Sequence, residues 1–150
     1  MEAVFARLRS IVSAEEERTQ RARRAAESLL DSRAYRWVGL YDVTLTEVIA
    51  LAWTGAIGPA FPRFPVSQGL NGAAVRSRRP VVVQDVTADP RYLTTFGSTQ
   101  AEAIFPIVSP ATGEVIGTID VESERINAFT AEDNLFLQAC AELLLPLWLR

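Results

Sequence analysis

The 150-residue sequence contains no histidine and one cysteine, Cys140. Without imidazole there is no Ser-His-Asp relay, no histidine general base and no histidine metal ligand. A lone thiol closes no intrachain disulfide and supplies neither a CxxC pair nor a zinc set. Lysine is missing too: all 15 basic residues are arginine, which removes Schiff-base and lysine-base chemistry. No apolar run approaches the ~20 residues needed to cross a bilayer, so no membrane partner is expected. The opening MEAVFARLRSIVSAEEERTQ is charged and helical in pattern, unlike a secretory leader, so a cytoplasmic protein is expected. A net charge of -3 argues against a nucleic-acid partner.

What is present is a globular composition, 49% apolar. One domain is expected, with an N-terminal amphipathic helix over 1–34 and the remaining unit over 35–150. In the first 32 residues Val4, Leu8 and Ile11, then Ala22, Ala25 and Leu29, recur at helical spacing with no Gly or Pro between, predicting one long helix. Glu17 and Arg21 form an i,i+4 pair in the favourable order. YRWVGLYDV (35–43) and EVIALAWT (47–54) read as strands; Tyr35, Trp37, Gly39 and Tyr41 share one face of the first, Val38 and Leu40 the other. GAIGPAFPRFP (55–65) reads as a loop, and SQGLNGAAVRSRRP as a short helix opening near Gly69 and closed by Pro80.

VVVQ (81–84), AEAIFPIVS (101–109) and VIGTIDVES (115–123) read as further strands. Between the first two lies DVTADPRYLTTFGSTQAE (85–102), which has no hydrophobic period and is too long for a tight turn. The closing FTAEDNLFLQACAELLLPLWLR is a helix with Thr130 as N-cap, Asp133 at the reciprocal N3 position and Pro146 at its end. Strand pairs joined by short turns, with helices at both ends, predict an α+β fold built on an antiparallel sheet. The end of the closing helix is apolar nearly all round, so it is covered either by the sheet and the first helix or by a second copy in a homodimer paired through the terminal helices.

Asp120 and Glu122 point to one face of VIGTIDVES, and Glu102 falls beside them if the last two strands form a hairpin. The spacing fits a solvated strand face or the acid wall of a pocket. With no His or Lys, three such acids suit holding a cation such as an ammonium better than proton relay. Trp37 and Tyr41 read as core or as an aromatic wall for a cation. Gly69 and Gly72 at a helix start could meet an anion, while the arginines of RSRR (76–79) are what a helix C-terminus favours. Cys140 reads as a small buried hydrophobe.

Taken together, WVGLY, GLNGAAVRSRRPVVVQDVTADPRYL, AEAIFPIVSPATGEVIGTIDVES and FTAEDNLFLQ resemble a GAF domain over about residues 35–140. Within that family the resemblance is to the free methionine-(R)-sulfoxide reductases. It implies about six antiparallel strands with the N- and C-terminal helices packed on one face and a ligand pocket under loops on the other. It also implies a pocket lined by Trp37, Tyr41, Glu102, Asp120 and Glu122. The reductase cysteines are replaced here by Asn71 and Thr95, and a third falls near Phe61. Sulfoxide reduction needs a thiolate to attack sulfur and a second thiol to resolve the product, and a Thr hydroxyl does neither.

The expectation is therefore a non-catalytic, cofactor-free, dimeric sensor of a small molecule, without bound metal. Its amino-acid-like ligand would place an ammonium against the three acids, its apolar part on Trp37 and Tyr41, and its carboxylate on amides near Gly97 or Gly72. Thr95 and Ser98 would donate from the lid over 85–102. A reductase with a non-standard thiol and a structural dimerisation module are the alternatives.

Overall fold

The period-2 pattern of Trp37–Val43 and Glu47–Trp53 yields two antiparallel strands, β1 and β2. The computed structural model, which describes residues 1–94 and 96–149, adds β3 (Arg63–Pro65), β4 (Val81–Val83), β5 (Ala101–Val108) and β6 (Val115–Ser123). They form one antiparallel sheet in the order β3-β2-β1-β6-β5-β4. Helices α1 (Glu2–Ser13), α2 (Arg18–Ser32) and α4 (Ala131–Leu144) pack on one face, and α3 (Gly69–Ser77) on the other. The α+β expectation holds, with six strands.

The alternation read in β1 and β6 sorts the residues of those strands, but Tyr35, just before β1, is corrected: it packs with the helix-face core beside Phe129 and not on the face of Trp37 and Tyr41. Val38, Leu40, Ala103, Phe105, Ile119 and Val121 join Leu8, Leu29, Phe136 and Leu137 in the main core on the helix face. Trp37, Tyr41, Val48 and Phe64 cluster on the opposite face. Thr130 and Asp133 form the expected capping box at the start of α4. The Asp133 carboxylate also accepts from Arg33 at 2.6 Å and from the Tyr35 hydroxyl at 2.8 Å, tying the end of α2 to the start of α4. The apolar girth of α4 is met within the chain by α1, α2 and the sheet, leaving Leu135 exposed on its outer side.

Two further expectations are corrected. The first 32 residues form two helices, not one: Ala14 is extended (φ -70°, ψ 147°) and Glu17 also leaves the helical region (ψ 141°). The break falls in SAEEE, where the apolar stripe thins and three glutamates follow one another. Bending lets Leu8 and Ile11 of α1 and Ala22, Ala25 and Leu29 of α2 bury against the same core, which continuity of one rod would prevent. Arg21 serves the bend, donating to the Val12 carbonyl at 2.8 Å and the Glu16 carbonyl at 3.1 Å rather than to the Glu17 carboxylate. The second correction is β3, inside the segment read as loop: Phe64 pairs with Val48 and is the buried residue of that short edge strand.

Candidate functional site

Strand register creates the site. Glu102 on β5 lies directly opposite Glu122 on β6, and Glu122 directly opposite Trp37 on β1. Two residues along, Asp120 faces Gly39, and Tyr41 follows opposite Thr118. All of these side chains point away from the helix layer. Like charges directly opposite each other on neighbouring strands repel, so nothing in sheet energetics recommends this arrangement.

The acids are not a solvated strand surface. Glu102, Asp120 and Glu122 are 4%, 3% and 0% exposed. One carboxylate oxygen from each lies within 4.8 Å of the others, the one group among the described residues clustered tightly enough to touch a single ion. Burial is the leading reason all three hold protons longer than usual. Asp120 is raised to about 6, and Glu122 to about 8 with help from the Asp120 charge. Glu102 is raised well above the ordinary range by burial, then by Asp120 and Glu122. The Tyr41 hydroxyl is likewise raised, by burial and then by the three acids.

Neutral groups satisfy part of the cluster. Asn71 Nδ2 donates to Asp120 Oδ2 at 3.0 Å, and Thr118 Oγ1 donates to Asn71 Oδ1 at 2.5 Å. Thr99 Oγ1 donates to Glu122 Oε1 at 2.8 Å, with the Tyr92 hydroxyl at 3.4 Å from the same oxygen. Asp120 Oδ1, Glu122 Oε2 and the Trp37 indole Nε1 remain buried without a hydrogen-bond partner.

Beside the acids runs a row of rings. Phe96 meets Trp37 edge-on at 5.5 Å, Trp37 meets Tyr41 at 6.5 Å, and Tyr41 meets Phe64 at 6.1 Å. The Trp37 indole lies flat over Gly39, where any Cβ would come within 2.7 Å of Cζ3 and closer still to Cη2. The segment between β4 and β5 covers this face through a one-turn 3-10 helix (Val86–Ala88), then Tyr92, Phe96 and Thr99. Arg36 stacks on Phe96 at 4.8 Å and pairs with Glu124 at 2.9 Å. A cavity of about 20 Å³ remains between Tyr41, Phe61, Phe64, Asn71, Glu102 and Asp120, room for about one water molecule.

Of the residues proposed from sequence, Trp37, Tyr41, Glu102, Asp120 and Glu122 come together, although Trp37 and Glu122 do not line the remaining cavity. Thr95 lies outside the described residues. Ser98 is exposed, and its hydroxyl is 3.5 Å from Arg36 Nε rather than over the acids. The Gly72 amide donates to the Gln68 carbonyl at 3.0 Å inside α3 and is not available to a ligand carboxylate. Gly97 is exposed. Cys140 is fully buried in α4 on the helix side of the sheet, and burial pushes its thiol up to about 12. Phe64, Phe96 and Thr99 were not foreseen: they reach the site from segments with no periodic pattern, and their residue types alone carry no signal.

A family model described as GAF domain matches residues 13–144. The chain is 29% identical over 109 residues to GAF domain-containing protein A of Dictyostelium discoideum, covering 72% of this chain and 66% of that protein. It spans 52% to 66% of the length of the curated relatives it matches. Among solved structures, a type II free methionine-R-sulfoxide reductase from Thermoplasma acidophilum superposes with a TM-score of 0.79 at 32% identity, over 87% of this chain and 94% of that one. Free methionine-R-sulfoxide reductase from Neisseria meningitidis, solved in complex with its substrate, gives 0.87 at 28% identity, over 98% and 87%.

Proposed function

The chain belongs to the GAF-domain family, and from that premise we propose that it is a non-catalytic small-molecule sensor whose ligand is an amino-acid-like zwitterion. The observation that carries this reading is a set of three buried carboxylates with, among the described residues, no basic side chain hydrogen-bonded to them and two of their oxygens unpartnered. A point between three oxygens lying within 4.8 Å of one another is no farther than about 2.8 Å from each, the length of a charge-assisted N–H···O bond. One ammonium nitrogen fits there. Tyr41 and Trp37 then offer ring faces to the same cation and apolar area to the rest of the ligand. The unpartnered Trp37 N–H calls for an acceptor on the ligand.

Sulfoxide reduction by this chain is disfavoured by its thiol inventory. The one cysteine is buried behind the sheet, and the position that resembles a reductase cysteine carries Asn71, occupied with Asp120 and Thr118. The small cavity favours a second reading, a structural module whose pocket is filled by its own side chains. On the sensor reading, the covering segment opens to admit the ligand.

The deciding experiment is thermal unfolding of the full chain against the free amino acids and both epimers of methionine sulfoxide. A ligand at 100 times its dissociation constant adds about 2.7 kcal/mol, which for this size raises the midpoint by roughly 5–10 °C. The shift is expected in the wild type and lost in Glu102→Gln and Asp120→Asn. A flat response across the panel overturns the sensor reading for this ligand class. A shift that survives both substitutions removes the acids from the site.

A further inference from the structure

Asn71 drew notice in the sequence only as the absence of a cysteine. In the structure the residue is 5% exposed and its carboxamide spans two β6 residues, Thr118 and Asp120. The NH₂ group faces Asp120, the orientation an ionised, acceptor-only carboxylate selects, and the Thr118 hydroxyl then donates to Oδ1. Around Asp120 stand Glu102 from β5, Glu122 from β6 and Tyr41 from β1. The cation acting on the cluster, Arg36, acts on Glu122 and is itself paired with Glu124.

We propose that Asn71 is a positioning residue that locks the Asp120 carboxylate in one orientation and keeps the negative charge of the cluster on it, with Oδ1 left open to a single ligand cation. The chemistry lies in the kind of donor. Thr99 and Tyr92 meet Glu122 through hydroxyls, which favour its ionised form by donating to it but can also turn to accept from the protonated carboxyl. An amide NH₂ only donates, so Asn71 favours the ionised form of Asp120 alone. Burial raises Asp120 least of the three, to about 6 against about 8 for Glu122, because hydrogen bonds from Glu102 first and Asn71 second hold it down. Near neutral pH the site then carries about one negative charge, matching a monocation and mismatching a divalent metal ion. This deepens the sensor reading and rests on it for the ligand, while its test needs none.

The test is a carboxyl-carbon NMR titration of the full chain without ligand, in the wild type and in Asn71→Leu, which keeps the volume and removes the donor. Asp120 should have the lowest midpoint of the three acids in the wild type. That midpoint should rise by about one pH unit or more in the variant. An unchanged Asp120 midpoint, or a different acid ionising first in the wild type, overturns the proposal. Should Asn71→Leu not fold, the side-chain amide resonances of Asn71 in the wild type decide: they should move with the midpoint of Asp120, and indifference to its ionisation overturns the proposal. A failed amino-acid panel leaves these titrations untouched, so the two failures are separable.

Discussion

Raising the pH from about 5.5 to about 8 should destabilise the ligand-free protein, an unusual direction for a chain whose net charge is only -3. The magnitude follows from Glu122, whose carboxyl is raised from 4.5 to about 8 by burial first and the Asp120 charge second. Below the unfolded value the group is protonated in both states and its contribution to stability is complete. As pH climbs, the unfolded chain ionises first and folding is penalised by ~1.4 kcal/mol per unit until the folded value is passed. Across the window named, Glu122 alone therefore costs about 3 kcal/mol, a fall in midpoint of roughly 6–12 °C.

Asp120, raised to about 6, and Glu102, raised further, add to the loss with the same sign. With no histidine in the sequence, no imidazole titrates across that window to obscure the effect. Asp89 and Asp133, which are lowered, lose their contribution only as pH falls through the acidic range. The assay is thermal or urea denaturation at closely spaced pH values, in parallel for Glu122→Gln, whose amide has no charge to bury and should flatten the slope. A wild-type midpoint that is level or rises over this range would refute the buried-acid argument, as would a Gln variant with the wild-type slope.

Gly39→Ala should force the Trp37 indole off the strand, at about 1–3 kcal/mol, since the new methyl would overlap the ring. Tryptophan fluorescence and thermal unfolding would register it, and an unshifted spectrum with unchanged stability would show that the ring is free to move aside. Cys140 should be silent to an aromatic disulfide reagent in the folded protein and titrate fully in denaturant, because its thiol is buried and raised to about 12. Rapid reaction in the native state would reopen thiol chemistry for this chain.

Local rules made parts of this architecture legible. The two faces of β1 and β6 follow from period-2 alternation, and the Thr130–Asp133 box follows from spacing three residues apart. The bend after α1 is a compromise between helix continuity and a shared core, and only the core reveals which wins. For β3, its partner Glu47–Ile49 lies beyond a loop rich in Gly and Pro, so three residues had no local reason to be extended. The acids were visible as a same-face set, but alternation is identical for a wet face and a covered one. What buries them is α3 and the segment carrying Tyr92, Phe96 and Thr99, placed by contacts distant in sequence. Asn71 illustrates the same limit: an amide in a helix carries no hint of the carboxylate 49 residues later that gives it a role.

Tyr41 turns its ring toward the acids, while its carbonyl, beside the register shift between Leu40 and Tyr41, accepts from Trp148 Nε1 at 3.2 Å on the other face. Gly117 makes room for that indole, and next door Arg18 grips Asp42 while also donating to the Leu147 carbonyl at 2.6 Å. One peptide of β1 is thus held from both sides at once. Across the thickness of one strand, the Tyr41 ring on the acid face is a single residue away from the contacts that anchor the start of α2 and the turn that follows α4.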